Sequence, residues 1–164
     1  MNTKIFCVFA GLGKTFLSQK YPNVIDHDVT KFKYKYNNHD ENINYEALKA
    51  TNNRVKNQDF PTNWLIKLKE LMNTDNILLV PADLEIRNIL VKNKIDFIFI
   101  MPDLNSKKIL IDRYKKRGNN EKFIERAVNQ LQEWHKEIPY SEYNTIILPY
   151  PFFLETWLIQ QKIL

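Results

Sequence analysis

Short apolar runs alternate with stretches of helical periodicity along the chain. Five of these runs predict β-strands, over residues 4–9, 24–26, 77–80, 96–101 and 145–148. The runs are continuously apolar and do not alternate with polar residues, which is typical of strands that are buried on both faces. The pattern therefore indicates a parallel sheet that is covered on each side.

Between the runs, apolar residues recur at helical spacing. They predict helices over residues 15–21, 59–72, 84–92, 106–117, 123–138 and 152–163. Pro22 and Gly118 mark the ends of two of these helices. Because strands alternate with helices, we expect right-handed crossovers and a sheet with helices on both sides. The fold class is α/β, and a ligand is expected at the carboxyl ends of the strands.

One segment departs from this alternation. Residues 29–58 are polar, rich in Asn, Lys and Tyr, and carry little periodicity. We interpret them as an insertion over the top of the sheet, partly helical at residues 45–50. No internal repeat or long linker interrupts the chain, so residues 1–164 are predicted to form a single domain.

The composition of the chain indicates a soluble globular protein. The 164 residues are 44% hydrophobic and 26% charged, as in ordinary soluble globular proteins. The apolar runs are too short for a membrane span, and the first residues do not resemble a signal peptide. The single cysteine, Cys7, lies in a predicted strand and cannot form an intrachain disulfide. We therefore expect Cys7 to pack in the core of a cytoplasmic protein.

The charge of the chain favours a small anionic partner. The net charge is +5, and the lysines are spread along the chain among acidic residues. Such a modest excess suits a protein that handles nucleotides. Since no dense basic tract is present, a nucleotide substrate is favoured and nucleic-acid binding stays an alternative. We expect no membrane partner, and a monomer or a homodimer.

A glycine-rich segment between the first strand and the first helix carries the strongest chemical signal. Two of the three glycines of the chain, Gly11 and Gly13, stand here, directly before Lys14 and Thr15. Glycines let a loop curl so that its N–H groups meet phosphate oxygens, and the following helix adds favourable partial positive charge. A lysine at this point reaches the β- and γ-phosphates, and a hydroxyl ligates Mg²⁺. The sequence therefore predicts an ATP site formed by Gly11, Leu12, Gly13, Lys14, Thr15 and Phe16.

The loop departs from the full phosphate-loop pattern at one position. In G-x-x-x-x-G-K-[ST] the first glycine would be residue 8, which is Val8. Either the loop is tightened or Val8 ends the strand. An ordinary strand-to-helix turn that contains Gly-Lys-Thr is the alternative reading.

Several segments together resemble a known family. They are Ala10–Thr15, Tyr21-Pro22-Asn23-Val24-Ile25-Asp26, Phe32-Lys33-Tyr34, Phe60-Pro61-Thr62-Asn63-Trp64, Glu85-Ile86-Arg87 and Arg113–Asn119. The chain resembles nucleoside-monophosphate-kinase-like P-loop proteins, in particular small ones from phages of low-GC Gram-positive bacteria. The resemblance implies a five-stranded parallel sheet in the order 2-3-1-4-5, ATP and Mg²⁺ as cofactors, and the host cytoplasm as location. It also implies a substrate-binding insertion over residues 29–60 and a lid at about residues 104–122.

The resemblance also implies roles for the carboxylates after the second strand. Asp26 would hold Mg²⁺ together with Thr15, or position the acceptor, and a hard cation of this kind prefers oxygen ligands. Asp28 follows at a spacing of two and would serve as a base if the acceptor is a hydroxyl. Turn capping is the alternative for either residue. Asp83, after the third strand, is offset from the position expected of a metal-binding acid, and we interpret it as a helix cap.

The remaining expected site residues are basic or aromatic. Arg87 would grip the acceptor phosphate, and Lys33 and Tyr34 of the insertion would contact the acceptor. Arg113 and Arg117 are four residues apart, so one helical face carries both, and in the resembling family such arginines neutralise charge on the transferred phosphoryl group. Solvated surface positions are the alternative for each. Two tryptophans at apolar helical positions, Trp64 and Trp134, are predicted to be core residues.

The resulting hypothesis is phosphoryl transfer from Mg·ATP to a small acceptor, a nucleoside or deoxynucleoside monophosphate in the first instance. Kinases of a hydroxyl acceptor, such as a metabolite or a polynucleotide end, form one alternative. A nucleotide-binding module without turnover forms the other, since the first glycine of the loop is missing.

Overall fold

The computed structural model describes residues 4–36, 54–137, 144–151 and 153–164. Its strands are β1 (Ile5–Val8), β2 (Val24–Asp26), β3 (Tyr34–Tyr36), β4 (Arg54–Lys56), β5 (Ile77–Pro81), β6 (Ile98–Pro102) and β7 (Asn144–Leu148). Its α-helices are α1 (Lys14–Lys20), α2 (Thr30–Lys33), α3 (Thr62–Met72), α4 (Leu84–Lys92), α5 (Lys107–Lys116), α6 (Glu121–Glu137) and α7 (Leu154–Gln160). A short 3₁₀ turn, Leu104–Ser106, precedes α5. At least one helix lies between any two successive members of the set β1, β2, β5, β6 and β7, as the apolar pattern predicts.

Five strands form one parallel sheet in the order β2-β5-β1-β6-β7. Numbered within this sheet alone, the order is 2-3-1-4-5, so the predicted order is confirmed. β1 lies at the centre, and all four of its residues are buried. Its carboxyl end therefore opens at the middle of the sheet edge where ligands bind in folds of this kind.

Helices cover both faces of the sheet. Phe99 is paired in register with Cys7, so it projects to the face opposite that of Phe6. The ring of Phe99 meets Trp134 of α6, with ring centroids 5.7 Å apart. The ring of Phe6 meets Trp157 of α7 at 6.1 Å. Because both faces are packed in this way, the strands are continuously apolar.

The chain divides into two compact units. The first comprises Met1–His27 and Asp75–Leu164, and it contains the parallel sheet. The second, Asp28–Thr74, contains α2, the antiparallel pair β3–β4, and α3. Within the second unit the side-chain amides of Asn57 and Asn63 both donate to the carbonyl oxygen of Phe32, each at 3.0 Å. These bonds connect α2 to the segment before α3 and to the first turn of α3.

Several element boundaries differ from the prediction. The expected helix over 106–117 corresponds to α5, which begins one residue later because Ser106 ends the 3₁₀ turn. The Asp103 carboxylate starts that turn by accepting from the Asn105 N–H at 2.7 Å. The third helix begins at Thr62 and not at residue 59. The last helix ends at Gln160, since Lys162 adopts a left-handed conformation with φ 55°. The β3–β4 pair was not predicted, and the expected helix at 45–50 lies outside the described residues.

The predicted core residues are confirmed. Cys7 and Trp64 are fully buried, and Trp134 is nearly so. The Cys7 thiol donates to the carbonyl oxygen of Pro81, and burial strongly raises its pKa. No helix in the described part of the chain is both long enough and apolar enough to cross a membrane.

Candidate functional site

The glycine-rich loop begins where the central strand ends. Val8 is the last residue of β1 and is paired in register with Pro81 on one side and Ile100 on the other. The Phe9 N–H continues the sheet by donating to the Ile100 carbonyl at 2.9 Å. Of the two readings of position 8, the structure supports the one in which Val8 ends the strand, and the loop proper follows Phe9.

Two glycines shape the loop through left-handed backbone conformations. Gly11 has φ 85°, and Gly13 has φ 102° and stands at the N-cap position of α1. Residues with a Cβ avoid these conformations. The surroundings of the two glycines differ: nothing lies within 4 Å of a Cβ at Gly13, whereas a Cβ at Gly11 would meet a tyrosine ring at 2.8 Å.

Three of the expected phosphate ligands, Lys14, Thr15 and Phe16, occupy the first turn of α1. The Leu17 N–H donates to the Gly13 carbonyl at 2.9 Å as the first bond of the helix. The N–H groups of Lys14, Thr15 and Phe16 consequently have no partner within the helix. The side chain of Leu12 is buried and that of Phe16 is 53% exposed, and since both are apolar, any contact that these two residues make with a phosphate would be through their backbone N–H groups.

Thr15 and Asp26, the two expected metal ligands, lie together. The Thr15 hydroxyl donates to Asp26 Oδ2 at 2.8 Å. Asp26 is the last residue of β2, and its other oxygen, Oδ1, is buried without a hydrogen-bond partner among the described residues. A buried carboxylate oxygen of this kind normally has a partner, because leaving it unpaired costs free energy. The pair therefore offers oxygen atoms of the kind that Mg²⁺ prefers.

The donor set fits a shared magnesium site better than a cage formed by protein alone. Among residues 4–36, 54–137, 144–151 and 153–164, no three His, Cys, Asp or Glu side chains gather to hold a metal ion. Mg²⁺ characteristically takes one or two protein oxygens, several waters and the oxygens of a phosphate substrate. Thr15 and Asp26 could supply these one or two protein oxygens.

Helix α5, inside the predicted lid region, contacts the loop directly. Arg113 Nη1 donates to the Gly11 carbonyl at 3.1 Å, and the Tyr114 hydroxyl donates to the Ala10 carbonyl at 2.8 Å. Burial, together with the positive charge of Arg117, lowers the pKa of Arg113, and burial raises the pKa of Tyr114. Arg117 itself follows α5 and is exposed. The two expected lid arginines thus lie near each other, and one of them already bonds to the loop.

An aromatic ring lies against Arg113. The guanidinium is 4.0 Å from the ring centroid of Phe153, which is 44% exposed. Sequence reasoning missed both Phe153 and Tyr114 as parts of this region. The apolar spacing of α5 predicts that Tyr114 is buried, but nothing local predicts that its hydroxyl reaches the loop.

The structure places Arg87 in the core. Only 3% of Arg87 is exposed, and its Nε donates to the Ala82 carbonyl at 3.0 Å. The guanidinium lies 5.0 Å from the ring centroid of Phe99 and 4.6 Å from that of Trp134. It therefore bonds to the segment after β5 and packs against aromatic rings. The described geometry gives no support to the expected grip on an acceptor phosphate.

The interpretation of Asp83 as a helix cap needs correction. Asp83 stands at the N-cap position of α4, but its side chain makes no capping hydrogen bond. Only its carbonyl oxygen takes part, accepting from Ile86 and Arg87 N–H at 3.0 and 3.1 Å. The carboxylate is exposed, so its charge is hydrated and α4 begins without its help.

The other expected acceptor contacts belong to the second unit. The Asp28 carboxylate accepts from the Val29 N–H at 2.9 Å, as in a turn. The ammonium of Lys33 lies 5.9 Å from the ring centroid of Tyr34, and the guanidinium of Arg54 lies 4.2 Å from it. Tyr34 is thus the aromatic centre of a basic cluster.

Comparisons with known proteins give no family. A scan against models of protein families found none that matches the chain. A search of curated proteins found no match either.

Proposed function

We propose that this chain is a P-loop phosphotransferase that transfers the γ-phosphoryl group of Mg·ATP to a small acceptor, in the first instance a nucleoside or deoxynucleoside monophosphate. One observation carries the proposal. Gly11 and Gly13 turn the chain into α1 at Lys14 and Thr15, and the Thr15 hydroxyl bonds to Asp26 at 2.8 Å. An ordinary strand-to-helix turn requires neither the lysine nor this hydroxyl–carboxylate pair.

The architecture supports the same assignment. The loop follows the central strand of a parallel sheet in the order β2-β5-β1-β6-β7, and Asp26 ends a strand of the same sheet. Parallel strands bring their carboxyl ends to one edge, which is where nucleotides bind in such folds. We accordingly assign the fold to the P-loop type as part of the proposal.

Each residue of the loop region has a role in this proposal. The N–H groups of residues 11–16 and the Lys14 ammonium would hold the β- and γ-phosphates. Thr15 and Asp26 would hold Mg²⁺, the latter directly or through water. When bound, the metal would neutralise charge on the phosphate oxygens. Arg113 and Arg117 would neutralise charge on the transferred group, and Phe153, half-exposed beside Arg113, offers a ring face for the nucleotide base.

The proposed transfer is one of positioning and charge compensation. An oxygen of the acceptor phosphate would bond to the γ-phosphorus while the bond to the β,γ-bridging oxygen breaks, leaving ADP. An ionised phosphate acceptor needs no general base. A hydroxyl acceptor needs one, and Asp28 is the residue that we assign to that alternative. Lys33 and Tyr34 stay sequence-based predictions as acceptor contacts.

A binding module without turnover is a second candidate, and two observations favour it. Arg113 is hydrogen-bonded to the loop carbonyl of Gly11, and Arg87 is buried in the core. Two of the cations expected to handle phosphate are thus engaged with the protein itself. A guanidinium has five N–H donors, however, so one bond leaves Arg113 able to bind a phosphate as well.

An acceptor panel tests the proposal. Purified protein is incubated with Mg·ATP and each common nucleoside and deoxynucleoside monophosphate in turn, and ADP formation is followed, with Lys14→Ala as the blank. Turnover with one or a few monophosphates that is lost in Lys14→Ala is the expected result. ADP formation no higher than the blank with every monophosphate, despite measurable ATP binding, would reject the monophosphate acceptor and favour the binding module. A hydroxyl acceptor would then be sought with Asp28→Asn as the control.

A further inference from the structure

Tyr114 is in contact with the glycine-rich loop at two adjacent residues. Its hydroxyl donates to the Ala10 carbonyl at 2.8 Å. Its ring fills the space beside Gly11, where a Cβ would lie 2.8 Å from Tyr114 Cε1 and 3.2 Å from Tyr114 Cζ. The residue is 1% exposed, and the ring of Phe123 packs edge-on against it at 5.3 Å. The hydroxyl therefore has a fixed position.

The bond to Ala10 also orients the next backbone N–H. A trans peptide is planar, with its C=O and N–H pointing in opposite directions. In the described chain only two X-Pro bonds are cis, so the peptide between Ala10 and Gly11 is trans. Because its oxygen is held by Tyr114, the N–H of Gly11 points away from that hydroxyl.

Arg113 acts in the same way on the following peptide. Its Nη1 donates to the Gly11 carbonyl at 3.1 Å, so the N–H of Leu12 also points away from its donor on α5. Two successive peptides thus have their oxygens held by one helix and their N–H groups directed away from it. Successive N–H groups that are directed to one side of a loop can form an anion-binding concavity.

We propose that Tyr114 is a positioning residue that holds the loop of residues 10–13 in its phosphate-binding conformation, through the Ala10 carbonyl and the space beside Gly11. The effect on nucleotide affinity rests on the proposed function, whereas the effect on the loop does not. The loop lacks the first glycine of its motif and follows shortly after β1. Its Ala10 and Gly11 carbonyls are instead held by side chains of α5.

The matched pair Tyr114→Phe and Tyr21→Phe tests this inference. Both changes delete one hydroxyl in the first unit, and both hydroxyls donate at 2.8 Å, Tyr114 to Ala10 and Tyr21 to Glu155 Oε1. Tyr114→Phe retains the ring that packs on Gly11, so the fold should persist. Hydrogen exchange of the amides of residues 10–14 and calorimetric affinities for Mg·ATP and for inorganic triphosphate are measured for both variants and the parent chain.

Tyr114→Phe should accelerate exchange in residues 10–14 selectively, while exchange in β5 and β6 stays at the parent rate. It should weaken the binding of Mg·ATP and of inorganic triphosphate alike. Each affinity should fall by about three- to tenfold, which corresponds to the net free energy of one ordinary hydrogen bond. Tyr21→Phe should leave the exchange rates of residues 10–14 and both ligand affinities at the parent level.

Two results would overturn the inference. One is unchanged exchange in residues 10–14 of Tyr114→Phe; the other is acceleration spread evenly over the sheet, which marks a merely structural tyrosine. If the parent chain binds neither Mg·ATP nor inorganic triphosphate, the proposed function fails. The exchange data then still decide whether Tyr114 holds the loop.

Discussion

Gly11 and Gly118 share a left-handed backbone but not an environment. Their φ angles are 85° and 73°. A Cβ at Gly118 meets nothing within 4 Å, whereas one at Gly11 meets the ring of Tyr114 at 2.8 Å. The comparison separates backbone strain from steric overlap.

We expect Gly118→Ala to cost about 1 kcal/mol of unfolding free energy from backbone strain alone. Gly11→Ala should cost about 3 kcal/mol, because overpacking adds to the same strain. Urea unfolding of the two variants measures the difference. Equal losses would mean that the Tyr114 ring moves aside without cost, contrary to the packing described above.

Thr15 and Asp26 should act through the metal. Asp26→Asn retains an oxygen that can accept from the Thr15 hydroxyl but removes the negative charge. We expect it to weaken ATP binding about tenfold in the presence of Mg²⁺ and to leave binding in EDTA unchanged, since charged-group contacts contribute about 1.5–3 kcal/mol. Calorimetry under the two conditions measures this effect.

Asp75→Asn provides the matched control, because Asp75 is an exposed carboxylate of the same unit that pairs with Lys4 at 2.9 Å. It should change neither affinity. An equal loss in Asp26→Asn with and without Mg²⁺ would argue against a metal role for Asp26.

Individual site residues could be predicted only where a rule of the fold places them. The proximity of Asp26 to the loop follows from its position at the end of a strand, and the structure finds it bonded to Thr15. No rule of the fold predicts where the side chain of Arg87 lies. A charged residue on a helix is expected at the surface, and only the three-dimensional packing shows it against Phe99 and Trp134.

At the scale of elements, Arg87 joins α4 to β6 and α6. Its guanidinium bonds to the Ala82 carbonyl and lies against Phe99 and Trp134. Arg87→Lys replaces the planar group by a compact ammonium that fits neither contact. We expect a loss of about 2–3 kcal/mol in unfolding free energy, since a buried carbonyl loses its partner.

Arg126→Lys is the control for this change, because Arg126 is exposed on α6 and only approaches the Phe123 ring, at 5.6 Å. The unfolding free energy of Arg126→Lys, measured by chemical denaturation, should stay within about 0.5 kcal/mol of that of the parent. A similarly small loss in Arg87→Lys would show that the guanidinium is not needed in the core and would revive its role as an acceptor contact.

Helix α7 is connected to α1 by a cluster centred on Glu155. Lys20 Nζ and the Tyr21 hydroxyl donate to Glu155 Oε1 at 2.6 and 2.8 Å. These bonds lower the pKa of Glu155 from its ordinary value of 4.5. A carboxyl whose pKa is lower in the folded state contributes stability above the unfolded-state pKa, and the contribution is lost as the pH falls through the folded value.

Glu155→Gln should therefore lower the Tm at pH 7, and the difference from the parent should shrink as the pH falls below 4.5. Thermal unfolding followed by circular dichroism over pH 3–7 checks this. A difference that is constant over the range would show that the cluster acts through packing and not through the ionised carboxylate.

Elements were predictable where they are long or buried. α4 occurs at the predicted residues 84–92, because its apolar spacing is regular and it follows a buried strand. The β3–β4 pair escaped prediction because each strand has three residues and β4 is exposed along its length. Its two strands are also far apart in sequence, so no turn signal connects them.

For the whole molecule, the apolar pattern predicted the fold class but not the pairing of the strands. Continuous apolar runs indicate a buried parallel sheet, yet the order β2-β5-β1-β6-β7 requires contacts between strands that are distant in sequence. That order was an implication of the family resemblance, carried mainly by the loop at residues 10–15. The two-unit division of the chain likewise depends on long-range contacts that periodicity does not encode.

In the proposed function, the loop of residues 11–16 binds the phosphates of a nucleotide. Calorimetric titration of Mg·ATP into the parent chain and into Lys14→Ala tests it most directly, with Lys92→Ala, an exposed lysine of α4, as the control. We predict saturable binding to the parent and to Lys92→Ala, and an affinity at least about tenfold weaker in Lys14→Ala, as for a lost charge-assisted bond. Absence of binding to the parent, or equal affinity in Lys14→Ala, would contradict the claim.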